Sequence, residues 1–210
     1  MQLNSEDGGK RKYICVQIPE PTDEKSEANR AGYKNICEIG KERIRRAGEK
    51  IIGGEALASH KKDETKVQFP LDIGFKVFKL DSSNIKEWDS DFDNLEQNLM
   101  DATENIKSDR NSEDLLYEIL LKYGLNLTLP IEEKIIEEKK VFIIGFGALV
   151  VCLDEDITTD TVEAIAKLKE EYEAETMRVV FKDSSFKNAV VKTNAIQILK
   201  QYGIDEVVSV

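Results

Sequence analysis

An unbroken apolar run over residues 141–153 constrains this chain more than any other feature: Val-Phe-Ile-Ile-Gly-Phe-Gly-Ala-Leu-Val-Val-Cys-Leu. Its thirteen residues fall short of the roughly 20 that a membrane-spanning helix needs. It reads instead as two buried strands, 141–144 and 149–153, around Gly145-Phe146-Gly147. A glycine-rich loop that cradles a cofactor must pass from a strand into a helix, whose N-terminal amides receive the anionic group. Here Ala148 to Leu153 continue as a strand, so the glycines predict a hairpin or bulge.

The residues that follow have alternating periods. A helix fits 158–173, with Val162, Ile165, Leu168 and Tyr172 on one face. Residues 177–182 read as a strand. A second helix fits 188–202, with Val191, Ala195, Ile198 and Tyr202 aligned, Gly203 as its stop and 206–210 as a last strand. Strand, strand, helix, strand, helix, strand predicts an α/β layer, and helical crossovers favour parallel pairing of the later strands.

Upstream, Pro70 and Pro130 fall at changes of composition and divide the chain into 1–62, 63–129 and 130–210. In the first segment, Lys12 to Ile18 predicts a short β-branched strand, stopped by Pro19-Glu20-Pro21. A helix fits 33–52, with Ile36, Ile39, Arg43 and Ala47 on one face and Gly53-Gly54 as its end. The middle segment offers a strand around 75–80, a turn at 81–84 and a polar helix over 93–107. Asn111-Ser112-Glu113-Asp114 is a good N-terminal cap, and the helix it opens buries Leu115, Leu116, Ile119, Leu120 and Tyr123 before Gly124.

Charge narrows the function classes. The net charge is −11, but residues 1–62 hold 13 Lys and Arg against 10 Asp and Glu, while residues 63–210 hold 17 against 31. The acidic part is a poor candidate for wrapping a phosphate backbone. Lys41, Arg43, Arg45, Arg46 and Lys50 form the strongest basic cluster; they suit either phosphate contacts or a solvated helix face laced by Glu38, Glu42 and Glu49. Three scattered cysteines and the single His60 offer neither a disulfide framework nor a zinc site, and point to a reducing, cytoplasmic setting. Asp81, Asp89, Asp91 and Asp93 lack the spacing and glycine of a calcium loop and read as solvated. Trp88 fits a core anchor or a surface contact equally well. Glu20, just past a strand, is placed as an acid that binds ribose hydroxyls is placed, though many strand ends carry an exposed acid. No Ser-His-Asp, Cys-His or phosphate-loop arrangement is present.

Longer stretches carry a resemblance. Met1-Gln-Leu-Asn4, Glu6 to Ile14, Val16 to Lys25 and Gly32 to Gly48 are similar to the C-terminal part of the modification subunit of type III restriction-modification systems. So are Phe75 to Asn84, Asp114 to Leu125, Val179 to Ser184 and Lys192 to Gln201. The resemblance implies S-adenosylmethionine as cofactor, methylation of the exocyclic amine of adenine in DNA, self-association of modification subunits and a restriction-subunit partner. It also implies that residues 1–62 are the end of a Rossmann-like methyltransferase sheet, 63–129 a connecting region and 130–210 a C-terminal α/β domain with a mixed sheet. Glu20 would then bind the cofactor ribose, and Lys41, Arg43, Arg45 and Arg46 would face DNA.

The departures are as informative. The family's Asp-Pro-Pro-Tyr type catalytic motif and its Phe-x-Gly-x-Gly cofactor loop do not occur here, so no catalytic residue is assigned. The expectation is a C-terminal portion that begins just after the cofactor loop and is inert by itself. The alternative is a stand-alone module that docks on modification or restriction subunits. A Rossmann half cut from its neighbours would leave strand 12–18 with an open edge and an apolar face.

Overall fold

In the computed structural model, which describes residues 1–58, 71–86 and 106–210, the chain divides into two units, Met1–Phe78 and Lys79–Val210. The first unit starts with a short helix, α1 (Gln2–Asp7), ended by Gly8 in the left-handed conformation (φ 69°). The Asp7 carboxylate turns the chain by accepting from the Gly9 amide at 2.9 Å and from the Arg11 guanidinium at 2.8 and 2.6 Å. Helix α2 (Glu27–Arg30) is capped by Ser26. Helix α3 (Ile36–Ala58) starts where the Asn35 side chain accepts from the Glu38 amide at 3.0 Å.

Two expectations for this unit fail. Helix α3 runs through Gly53-Gly54 instead of stopping there, because glycine in a helix interior costs about 1 kcal/mol and does not forbid it. No strand forms over 12–18. Its β-branched residues have the propensity, but a strand exists only by pairing, and among the described residues no neighbour supplies a ladder. Ile14 and Val16 are each 93% exposed. The strand expected around 75–80 is likewise absent. The start of that segment at 67, and the helix over 93–107 save its last two residues, lie outside the described residues.

The second unit holds the sheet. Helix α4 (Ser112–Lys122) opens with a reciprocal box: Asn111 Oδ1 accepts from the Asp114 amide at 2.8 Å, and Asp114 Oδ2 from the Asn111 amide at 3.1 Å. Gly124 (φ 66°) follows its end. Then come β1 (Ile131–Ile136), β2 (Lys139–Ile144), β3 (Leu149–Cys152), α5 (Thr159–Glu171), β4 (Arg178–Phe181), α6 (Ala189–Gln201) and β5 (Glu206–Ser209). Strand β1 escaped the sequence pattern, since three of its six residues are charged and it lies on the sheet edge.

The spatial order is β1-β2-β3-β4-β5, antiparallel across the first three strands and parallel across the last three. Alternation along the strands splits the core. Val141, Ile143, Val150, Cys152, Val179 and Phe181 face α5 and α6; Phe142, Ile144, Leu149, Val151 and Val180 face α4. Both crossover helices share one face because the two βαβ steps advance in the same direction along the sheet. The mixed α/β sheet is as the sequence implies.

Candidate functional site

Glu20 ends the extended stretch and begins a built loop. Its carbonyl accepts from the Ile36 amide, the first of α3, at 3.0 Å. Pro21 bridges to Asn35, the Thr22 hydroxyl donates to the Tyr33 carbonyl at 2.7 Å, and Asn29 Nδ2 donates to Thr22 Oγ1 at 3.1 Å. These bonds fix residue 20 at the N-terminus of α3. Its carboxylate is exposed and forms no hydrogen bond or ion pair among the described residues. A single exposed acid, with no second group converging on it, does not enclose S-adenosylmethionine, so the described residues do not fit the cofactor by themselves.

The basic helix is largely self-neutralised. Lys41 pairs with Glu38 at 2.5 Å; Arg45 and Arg46 share Glu42 at 3.6 and 2.8 Å. Arg46 also lies 3.3 Å from the Tyr33 hydroxyl, and Arg45 stacks over the Phe75 ring at 5.7 Å. The bond from Arg46 holds the Glu42 carboxyl below its usual range. Arg43 is exposed and makes no ion pair among the described residues. On the face shared by Ile36, Ile39, Arg43 and Ala47, Ile36 and Ile39 stay partly open, and Gly48 is the buried position, against Ile73.

In the second unit, the 145–147 segment is a hairpin connection and not a cofactor loop. Ile144 pairs with Leu149, and Gly145, Phe146 and Gly147 all have positive φ (61°, 59° and 87°). A Cβ on Gly147 would lie 2.9 Å from Tyr172 Cβ. Cys152 is fully buried, and burial pushes its thiol up to about 11, which removes it as a nucleophile. Asp81, from the acidic set, accepts from Arg110 at 3.0 Å and is held below its usual range by that bond. His60, Trp88, Asp89, Asp91 and Asp93 lie outside the described residues.

Two features here were invisible in the sequence. Glu118 on α4 clasps residues 83 and 84. It accepts from the Ser83 hydroxyl at 2.6 Å and from Asn84 through its amide (2.7 Å) and side chain (2.6 Å), and pairs with Lys122 at 2.9 Å. Burial pushes its carboxyl up, but the bonds from Ser83, Lys122 and Asn84 win and lower it to about 2. The second is a cavity of about 250 Å³ at the start of α4, walled by Lys107, Arg110, Ser112, Leu115, Glu155 and Lys182 among others. Its walls come from three separate stretches, 106–115, 153–155 and 182, so no local pattern announces it.

No protein-family model matches this chain. One curated protein does, in part: the type III restriction-modification enzyme StyLTI Mod subunit of Salmonella typhimurium, 34% identical over 79 residues. The chain resembles a type III modification subunit. The aligned part is 38% of this chain and 10% of the Mod subunit, so the chain spans about a tenth of the relative it matches. Among the described residues no helix is long and apolar enough to cross a membrane.

Proposed function

We propose that the chain is the C-terminal portion of a type III modification subunit, whose intact form uses S-adenosylmethionine to methylate adenine in DNA in the cytoplasm. The single observation that carries this reading is the 34% identity to the StyLTI Mod subunit. By itself the chain is inert: methyl transfer to an adenine amine needs a polar pocket and stacking walls for a flipped base, and no residue here matches those motifs.

The first unit supports the same reading. Ile14, Val16 and Ile18 are 93%, 93% and 72% exposed, and Ile36 and Ile39 remain partly open. A run of β-branched side chains left in water suits a segment that pairs with more protein. In the intact subunit, 12–18 becomes a Rossmann-like strand, Glu20 meets the cofactor ribose, and Lys41, Arg43, Arg45 and Arg46 face DNA.

The test is transfer of a labelled methyl group from S-adenosylmethionine to adenine-containing duplex DNA. The expected result is no transfer by the purified chain. Activity co-purifying with the 210-residue species would sink the proposal.

The second unit favours one further reading, a module that docks on modification or restriction subunits. It closes both faces of its sheet with its own helices, so it needs no other part of a methyltransferase to be stable. Light scattering with each purified subunit tests this. A strict monomer that binds neither would count against it.

A further inference from the structure

We propose that the cavity at the start of α4 binds a single phosphate group, free or carried by a small molecule. The inference is independent of the methyltransferase reading.

The charges around the cavity are sorted by depth. The Arg110 and Lys182 side chains on its wall are only 16% and 15% exposed, while their acid partners, Asp81 and Glu155, are 61% and 75% exposed. The cations are held inside and their counter-charges stand in water. Pairing is also incomplete. Lys182 reaches Glu155 only at 3.5 Å. Arg110 Nη1 binds Asp81 at 3.0 Å, but its Nε, sealed from solvent, has no hydrogen-bond partner and lies 3.6 Å from Asp109 Oδ1. A phosphate oxygen cannot reach an atom closed to water, so the charge-assisted bonds it would gain come from the parts of Arg110 and Lys182 that line the cavity. Lys107 adds a third cation, held by the Ser82 hydroxyl at 2.8 Å, and Ser112 brings a hydroxyl to the same wall.

The acids decide the class of ligand. Glu155 is exposed on the cavity wall itself, Asp81 and Asp109 are exposed near it, Glu113 and Asp114 occupy the first turn of α4, and residues 79–210 hold 15 Lys and Arg against 28 Asp and Glu. That field repels a long polyanion such as duplex DNA. A small anion inside the cavity meets the cations first. A volume of about 250 Å³ is below the usual size of a drug-like pocket and suits a phosphate with a short carrier.

The experiment is an amide NMR titration of the full chain with inorganic phosphate at neutral pH. Ionic strength is held constant with sodium chloride, and chloride alone serves as control. We expect saturable shifts confined to residues 107–113 and 182, with a dissociation constant of about 1–10 mM. Lys182→Gln and Arg110→Lys should each weaken binding about tenfold or more, the second because lysine keeps the charge but loses the planar fork of donors. If Arg110→Lys does not fold, judged by circular dichroism, Lys182→Gln decides alone. Shifts that never saturate, that match those of chloride, or that survive unchanged in the folded variants overturn the proposal. Ribose 5-phosphate and adenosine monophosphate separate the sources. Tighter binding than inorganic phosphate assigns a carried phosphate, and equal or weaker binding assigns the free ion.

Discussion

The Glu118 carboxylate accepts both the backbone amide and the side-chain amide of Asn84, at 2.7 and 2.6 Å, from the second turn of α4. Thirty-four residues separate the two, and this bond pair is the main tie between the 81–86 segment and the helix. The Asn84 side chain also donates to the Asp114 carbonyl at 3.0 Å, so the same residue reads two levels of the helix.

Replacing Glu118 by Gln should destabilise the chain by about 1–3 kcal/mol, because a charged acceptor that serves several donors becomes a neutral group with donors of its own. The pH dependence follows from the lowered carboxyl. The unfolded group titrates near about 4.3 and the folded one at about 2. Its contribution is complete above the unfolded value and is lost as pH falls from there toward 2. Urea midpoints should therefore differ most between wild type and variant at neutral pH and converge at acid pH. A constant gap down to pH 2 would show that the charge is not what matters.

The hairpin between β2 and β3 separates two costs of replacing glycine. Gly145 has a positive φ but room for a methyl group, its nearest neighbour being Ala148 Cβ at 3.7 Å. Gly147 has a positive φ and a Cβ position 2.9 Å from Tyr172 Cβ and 3.4 Å from Ala174 Cβ. Gly145→Ala should cost about 1 kcal/mol, the left-handed penalty alone. Gly147→Ala should cost about 2–4 kcal/mol, since packed atoms must also move. Equal losses in urea unfolding would mean that the Tyr172 contact gives way freely.

The turn between β1 and β2 is a place to gain stability. Glu137 and Glu138 fill a two-residue connection with φ of 47° and 62°, between the paired Ile136 and Lys139. Two adjacent positive φ angles match a type I′ turn, which favours Asn-Gly. Glu137→Asn with Glu138→Gly should therefore raise stability by about 1 kcal/mol, seen as a higher urea midpoint at unchanged slope. A lower midpoint would mean that the glutamates make contacts worth more than the strain.

How much the sequence revealed depended on whether each element carried its own stop signals. Asn111, Gly124 and Gly203 bracket helices whose periodicity already agreed, and all three act where the pattern puts them. The thirteen-residue apolar run gave the two central strands because burial on both faces leaves no room for polar residues. Residues 12–18 misled because β-branching is a local preference, whereas a ladder is a relation between two segments. Glu20 could be located at the end of that stretch, yet the residues that would make it a ligand site are not among those described. Glu118 and the Arg110–Lys182 cavity depend on groups far apart in sequence, which only the fold brings together.

Cysteine reactivity gives a direct reading of burial. Cys15 is exposed, Cys37 is half-buried, and Cys152 is sealed with its thiol pushed up to about 11. At pH 8 only about one Cys152 in a thousand would be thiolate even if reagent reached it. Iodoacetamide should therefore label Cys15 in the native chain and spare Cys152 until urea unfolds the second unit. Peptide mass mapping along a urea series measures this. Native labelling of Cys152 at the rate of Cys15 would contradict the packing of β3 against α5 and α6.

The exposed segment 12–18 gives the sharpest contrast between the chain alone and the proposed intact subunit. Ile14 and Val16 bury almost nothing here, so Ile14→Ser with Val16→Ser should change the stability of the isolated chain by less than about 0.5 kcal/mol. If the same residues line a covered strand in the full subunit, each replacement removes a buried apolar side chain there, costing about 1.5–3 kcal/mol apiece. Paired urea unfolding of the double variant in the two contexts measures the difference. The proposal expects a neutral change in the chain and a clear loss in the subunit. A neutral change in both would mean that 12–18 remains in water in the intact protein as well, and its reading as a Rossmann-like strand would have to be abandoned.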